Sequence, residues 1–578
     1  MSSIRINSIS VKNYRSFGEK QDFLFPNSDY KKPVAIVGYN NSGKTNFMNA
    51  IKFGLYESVR EDTFGIKDFH KCEWGNYPCF ALKFIADIGD EKISPNIEYT
   101  NISMLTIKNE KIISSLDYCN CYGDSRKYGK KWNIKQNAPI YYVNFHNIKD
   151  EISTQKSSWG NLKSFLGKHI ERIVKTDESM HLKKETFENE IKLSSSKVID
   201  NSQLSKFIET IEVNYSANLR NNACKVDFGL PNYEDIFLKM MFKIGLNGDN
   251  ENLIPIDHFG DGFISMFVMA VIQAIAETNA EDKCLFLFEE PESFLHENHQ
   301  EYFYKTVLCG LSEKGHQVIY TTHSDKMIDP FDTKGLIRLE MDDKNQTVKK
   351  YNNVGEFNYE QIDIETGEVI EYSRYNEFIK TIEPNLNRIL FSKKVILVEG
   401  PNDVLVYKFA IKEKVKSFIQ NKAEIIDKDK YADTYLNFEN ISIVCHHGKT
   451  TALYLIELCK WFKVDYFVIN DWDFELNELD IQTLENINSA QELKEHTIYT
   501  SAADSTTKGM ITTNWNLIHN AGIGNIHFNV KKLESVIGYD SNDKSSMAIW
   551  DLLNSGSFEV SESLFPESLV NFLGLIDK

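Results

Sequence analysis

Residues 38–45 read GYNNSGKT, matching G-x-x-x-x-G-K-[ST] at every fixed position. At this spacing Gly38 and Gly43 let the loop that includes Asn41 curl its backbone N–H groups around a β-phosphate. Lys44 adds a cation near the β- and γ-oxygens, and the Thr45 hydroxyl reaches Mg²⁺. A second group of acids comes far downstream, in VEGPND (398–403) and NDWD (470–473). Glu399, Asp403, Asp471 and Asp473 offer hard oxygen ligands, which suit Mg²⁺ or Mn²⁺ and not zinc. Two such ions about 4 Å apart activate water and stabilise the leaving oxygen of an in-line displacement. Together the two groups suggest phosphodiester cleavage controlled by nucleotide binding.

Three further positions fit phosphate chemistry. The apolar run 284–288 ends in Glu289 and Glu290. Glu289 would hold Mg²⁺ through water, and Glu290 would orient or deprotonate the attacking water. A second apolar run, 317–320, leads through Thr321 and Thr322 to His323, where an imidazole can meet a γ-phosphate. Taken alone, each acid reads as a solvated strand end and the histidine as a structural one. Their co-occurrence with GYNNSGKT favours the phosphate roles.

These residues need strands and helices to place them. Ile4, Ile6, Ile9 and Val11 recur as in strands, and the buried run Val34–Val37 leads into the glycine loop. Phe47, Ile51 and Leu55 then fall at helical spacing, completing strand–loop–helix. Residues 150–215 turn Lys-, Glu- and Ser-rich. Leu162, Phe165, Leu166, Ile170, Ile173 and Val174 form one helical face, and Leu204, Phe207, Ile208 and Ile211 another. This predicts a helical insertion whose stripe is core or a subunit contact. The α/β pattern returns over 250–340, and a polar stretch over 341–372 reads as a linker. Strands at 395–398, 441–444 and 466–469 would bring Glu399 and the aspartates together at their carboxyl ends, if they are parallel neighbours.

The chain has 578 residues, 42% of them hydrophobic, enough for two to four domains. Its net charge of −18 means that a polyanionic partner needs a local basic groove or bridging divalent cations. The nine cysteines show no repeated spacing. Neither Cys119-x-Cys121 nor Cys445 before His446-His447 completes a four-ligand zinc set, so reduced thiols are expected. MSSIRINSIS has no apolar signal region, and the longest apolar run, Gly262 to Ala276, is too short to cross a bilayer. A cytoplasmic protein without membrane association is expected.

GYNNSGKT, EEPESFLH (289–296) and the opening VKNYRSF (11–17) resemble the ABC-type ATPases of the SMC, RecF and OLD (Overcoming Lysogenization Defect) kind. The resemblance implies a nucleotide sandwiched between two subunits, hence a homodimer or higher homo-oligomer. It also implies a facing signature, matched here by His258-Phe259-Gly260-Asp261-Gly262. Gly260 and Gly262 depart from the transporter-type Ser-Gly-Gly, and Glu289 replaces the commoner Asp, so a clamp or gate fits as well as a fast motor. VILVEGPNDVLV (395–406) with the later DWD is similar to the Toprim domain of OLD nucleases, in which Glu399 and Asp403 would both bind metal. The same resemblance implies a further acid and a lysine, best matched by Glu534 and Lys544, with Lys531 or Lys532 as alternatives to the latter.

The expected architecture is α/β: an ABC/SMC-like ATPase over 1–375, carrying a helical dimerisation insertion over 150–245, then a C-terminal Toprim domain over 376–578. The expected function is an ATP-binding DNA endonuclease dependent on Mg²⁺ or Mn²⁺. The resemblance further implies antiphage defence of the Gabija or retron kind, with a UvrD-like helicase, a reverse transcriptase and its DNA, or neither as partner. The alternative is a RecF/SMC-like sensor of DNA ends whose Toprim domain is a non-cutting scaffold. A topoisomerase or primase would use the same acids, but no strand-passing or zinc-binding segment supports it.

Overall fold

The computed structural model describes residues 3–55, 65–87, 98–108, 111–120, 138–148, 178–200, 202–219, 243–245, 251–278, 282–362, 368–371, 374–422, 424–539 and 545–576. In chain order, β1 (Ser3–Lys12), β2 (Gln21–Leu24) and β3 (Val34–Val37) lead to helix α1 (Lys44–Leu55). Then come β4 (Cys79–Asp87), β5 (Glu98–Lys108), β6 (Lys111–Asn120), β7 (Ile140–Asn144), and helices α2 (Glu178–Ile199), α3 (Gln203–Leu219) and α4 (Asp261–Thr278). Strands β8 (Leu285–Glu289), β9 (Gln317–Thr321), β10 (Leu336–Met341) and β11 (Thr347–Asn352) close the first half. The second half contributes β12 (Lys394–Val398), α5 (Pro401–Ile419), β13 (Ile441–Cys445), α6 (Lys449–Phe462), β14 (Asp465–Asp471), α7 (Ser505–Ala521) and β15 (Ile526–Asn529).

Three sheets carry the architecture. An antiparallel sheet has the order β2-β1-β4-β5-β6, and β4 alternates inward and outward side chains as a one-sided strand must. The second sheet has the order β11-β10-β3-β9-β8-β7. Its β3, β8 and β9 are parallel and buried at every residue, because apolar layers cover both faces. The third sheet, β13-β12-β14-β15, is parallel throughout, so β12 and its neighbours present their carboxyl ends together.

The stretch 341–372 is not simply a linker. Thr347–Asn352 pairs antiparallel with β10 and forms the edge of the second sheet, and Thr347 and Tyr351 turn inward. Its inner positions are two against four half-exposed ones, which is why TVKKYN reads as polar loop in sequence.

Of the two helical faces expected over 150–215, the six positions from Leu162 to Val174 lie outside the described residues. On α3, Ile208 is buried while Phe207 is 60% exposed.

The cores do not respect the two halves. One apolar cluster joins Val37, Phe286 and Tyr320 of the second sheet, through Leu386, Ile389 and Leu390, to Val395 and Val468 of the third and Leu458 of α6. A second fills the space between the first two sheets and α1, and a third lies beneath α5 on the far face of the third sheet. Arg338 is the polar rivet of the shared cluster. Only 2% exposed, its guanidinium pairs with Glu340 at 2.7 Å and donates to the carbonyls of Ser392 (2.8 Å), Phe462 (3.1 Å) and Lys463 (3.1 Å). A charge buried this deeply is tolerated only with its donors matched in this way.

Candidate functional site

The glycine loop is shaped by the strand beside it. At Gly38 a Cβ would come within 2.3 Å of the Leu339 carbonyl oxygen, and at Gly43, whose φ is +97°, within 2.1 Å of Thr347 Oγ1. No side chain fits at either place, which leaves a backbone cradle open towards the loop's N–H groups. Asn41 takes a left-handed turn, φ 65°, between the two glycines. The YRSF turn braces the loop from outside: Ser16 Oγ accepts from Asn46 Nδ2 (2.9 Å) and Thr347 Oγ1 (2.7 Å).

Lys44 is buried, donating to the carbonyls of Gly38 (2.8 Å) and Tyr39 (3.1 Å) and standing 3.4 Å from His323 Nδ1. Burial pulls its ammonium down to about 8, against the opposing pull of Glu290 and Glu292. Ser42 Oγ is buried without a hydrogen-bond partner. An open cradle, a desolvated lysine and an orphaned hydroxyl fit a bound phosphate chain.

Parallel pairing of β8 with β9, Glu289 opposite Thr321, sets the acids beside this loop. Glu289 is buried and accepts from Tyr142 Oη at 2.6 Å. Glu290 sits at φ 48°, turned so that its Oε1 lies 3.4 Å from His323 Nε2, and this contact holds its carboxyl below the usual range. His323 therefore touches Lys44 with one ring nitrogen and Glu290 with the other. Thr45 is exposed at the start of α1.

Glu292 escaped the sequence reading. Its Oε1 accepts from Thr322 Oγ1 (2.8 Å) and from the His323 backbone N–H (2.6 Å), and burial raises its carboxyl. It positions His323. The signal that could have found it is the EPE spacing after the apolar strand. Gly260 and Gly262 lie apart from these contacts, at the start of α4, where a Cβ on Gly262 would meet the Phe294 carbonyl at 2.9 Å.

The second acid group assembles at the carboxyl ends of β12 and β14. Glu399 follows β12, and Asp403 lies in the first turn of α5, its Oδ2 reaching back to the Gly400 N–H at 3.0 Å. Asp471 ends β14 opposite Asn529, accepting from the Leu533 N–H (2.9 Å) and Asn529 Nδ2 (3.4 Å). Burial, then the charge of Asp471, pushes Asp403 up to about 7; burial, then Glu399, does the same to Asp471. Glu399 is also raised by burial, with Asp473 and Glu534 adding to the shift and Lys449 opposing it. One of its oxygens, Oε2, is buried with no partner. Repelling carboxylates with an orphaned oxygen fit hard divalent cations.

Asp473, in a left-handed turn at φ 67°, receives Lys449 Nζ, which also donates to Asn514 Oδ1 at 2.8 Å. Lys449 is a cation beside the acids to which the sequence alone assigns no role. Glu534 lies in the short helix Leu533–Val536, near enough to act on Glu399. Lys531 pairs with Glu475 at 2.9 Å. Lys544 lies outside the described residues.

Among the described residues no helix is long and apolar enough to cross a membrane. Residues 87–328 match the AAA ATPase domain family, and residues 390–473 match the family described as "Overcoming lysogenization defect protein-like, TOPRIM domain". The chain is similar to the Old nuclease of Escherichia phage P2, 23% identical over 82% of this chain and 78% of that protein. It is similar to endonuclease GajA of Bacillus cereus (strain VD045), 22% identical over 75% of this chain and 72% of the other. A third relative, the OLD nuclease of Thermus scotoductus, is 28% identical over 39% of this chain and 37% of its own length. Among solved structures, an Smc head domain from Pyrococcus furiosus aligns with 66% of this chain and 99% of its own at 16% identity, with a TM-score of 0.38. The resemblance carried by the motifs holds: the chain pairs an AAA ATPase domain with an OLD-like TOPRIM domain.

Proposed function

We propose that this chain, an AAA ATPase domain joined to an OLD-like TOPRIM domain, is an ATP-binding, divalent-metal-dependent DNA endonuclease. The supporting observation is the convergence of Glu399, Asp403 and Asp471 at the carboxyl ends of adjacent parallel strands, with all three carboxyls raised first by burial and then by neighbouring carboxylates: Asp471 for Asp403, Glu399 for Asp471, and Asp473 and Glu534 for Glu399. The names and coverage of the relatives favour the same reading.

Glu399, Asp403, Asp471 and Glu534 would hold Mg²⁺ or Mn²⁺, with Asp473 completing the set when Lys449 releases it. Ions bound there would supply an activated water and neutralise charge at the leaving oxygen. The chain's own groups do the rest. Tyr407 Oη donates to Asn529 Oδ1 at 2.9 Å, and Asn529 in turn orients Asp471. Lys449 places a positive charge beside the acids, where the transition state gains negative charge; Lys544 would share that role. In the ATPase half, Gly38, Asn41 and Gly43 cradle phosphates, Lys44 exchanges its loop carbonyls for phosphate oxygens, and Thr45 and Glu289 serve Mg²⁺. Glu290 and His323 stand where water and γ-phosphate would meet. Gly260 and Gly262 would act on a nucleotide held by a second copy, which makes a dimer the working unit. A defensive role against phage, with or without a helicase or reverse-transcriptase partner, rests on the relatives alone.

The test is incubation of supercoiled plasmid with Mg²⁺ or Mn²⁺, comparing wild type with Glu399→Ala. Loss of nicking in the variant supports the assignment; equal nicking by both removes the site from this cluster.

A further inference from the structure

Among the described residues, the three side chains whose potential metal-ligand atoms all lie within 4.8 Å of one another are not the acids above but Glu383, Cys445 and His447. They come from separate segments. Glu383 caps the helix Tyr375–Ile382, Cys445 is the last residue of β13, and His447 lies in the turn before α6. Glu383 and Cys445 are buried, while His447 keeps about a quarter of its side chain in solvent (27%). Glu383 Oε1 is occupied by the Asn385 N–H at 2.8 Å, which directs Oε2 to His447 Nε2 at 3.2 Å. His447 is held at φ 56°, so the chain reverses there and its ring returns over Cys445's end of the strand.

We propose that Glu383, Cys445 and His447 form a zinc site, distinct from the magnesium- or manganese-type acid cluster. The chemistry follows from the donors. One thiolate, one imidazole and one carboxylate make a mixed S/N/O set that selects Zn²⁺ and discriminates against Mg²⁺, whereas the Glu399 group offers oxygen alone. Zinc–ligand lengths of about 2.0–2.3 Å place neighbouring ligands roughly 3.3–3.8 Å apart, so ligand atoms that already lie within 4.8 Å of one another close on an ion by side-chain adjustment of about an ångström. The solvent side of His447 leaves the fourth position to water. Binding releases the Cys445 thiol proton to solvent and leaves Glu383 as the carboxylate ligand. The site would also be felt next door, because the His447 N–H donates to the Glu399 carbonyl at 3.2 Å. Sequence alone could not find the set, since Glu383 is far from the Cys-His-His run in the chain.

The test uses the full-length chain, stripped by chelation and titrated with Co²⁺ in excess Mg²⁺, which occupies the oxygen site. The expected result is one equivalent of Co²⁺ with thiolate-to-metal charge-transfer absorption, displaced by one equivalent of Zn²⁺. Cys445→Ser should lose that absorption, and Glu383→Gln and His447→Gln should each weaken binding at least about tenfold, the scale of lost ligation. Glu399→Gln should leave the absorption intact, which separates this site from the acid cluster and from the nuclease proposal. If Cys445→Ser does not fold by circular dichroism, the Glu383→Gln and His447→Gln titrations decide. The absence of thiolate absorption in wild type, or its persistence unchanged in Cys445→Ser or in both other variants, overturns the proposal and leaves the trio as a hydrogen-bond cluster.

Discussion

Lys44 spends two hydrogen bonds on loop carbonyls and sits 3.4 Å from a histidine nitrogen, so its ammonium is solvated by protein, not water. Lys44→Ala should weaken ATP binding by about 1.5–3 kcal/mol, the range for a hydrogen bond to a charged group, or roughly ten- to a hundredfold in Kd. Isothermal titration measures this, and unchanged affinity would contradict the loop assignment. Asp403 and Asp471 give a second test. Their folded values near 7 exceed the ordinary carboxyl value, so the metal-free native state binds more protons than the unfolded chain between about pH 4 and 7. Stability of the metal-free protein should therefore be greatest below that window and fall as pH rises through it, by on the order of 1–3 kcal/mol. Thermal melts in chelator from pH 5 to 8 should show the decline. Asp471→Asn should flatten it, and Mg²⁺ should reverse it.

At the scale of elements, legibility depended on how local each signal was. The strand–loop–helix around Gly38–Lys44 was readable because its three parts occupy one continuous stretch, and β12 and β14 because each buried run leads into its acid. The parallel order that brings Glu399 to Asp471 could only be supposed from sequence, since nothing in VILVEG names its neighbour. β11 was misread because an edge strand needs only alternate inward residues, and Thr347 and Tyr351 are too few to stand out among Lys349, Lys350 and Asn352. Trp472 went unremarked between two aspartates, yet it is fully buried, with its indole N–H on the Leu479 carbonyl at 2.9 Å and its ring edge-on to Phe528. It anchors the DWD turn. Trp472→Ala should cost about 3–5 kcal/mol in chemical denaturation, as for other large-to-small core changes, and should lower metal affinity at the flanking acids. Full stability with weakened metal binding alone would refute the anchoring role.

The whole molecule is built around a core that crosses from the ATPase sheet to the Toprim sheet. Tyr351 packs edge-on against Phe462 at 4.8 Å and receives the Trp461 indole N–H at 2.7 Å, and Phe331 lies 5.4 Å from Tyr454. A fragment ending at residue 375 would leave Phe331, Tyr351 and Phe357 uncovered. Such a fragment should self-associate in size-exclusion chromatography with light scattering; a stable monodisperse fragment would show that the shared core is dispensable. Arg338→Met, which strands three carbonyls and leaves Glu340 with Lys350 as its remaining ion-pair partner, should destabilise the full chain by about 3 kcal/mol and lower its melting temperature in calorimetry.

The position of that arginine has a further meaning. Arg338 pairs in register with Val37, one residue before the phosphate cradle, and its other contacts end α6 and precede β12. Lys449 begins α6 and Glu399 follows β12, so a single cation is tethered to both flanks of the distant carboxylates. A shift of the glycine loop that drags on β10 would be delivered to the second centre as traction on two levers at once, with no hinge between. Nucleotide occupancy and the spacing of the acids would then be two readings of one mechanical coordinate.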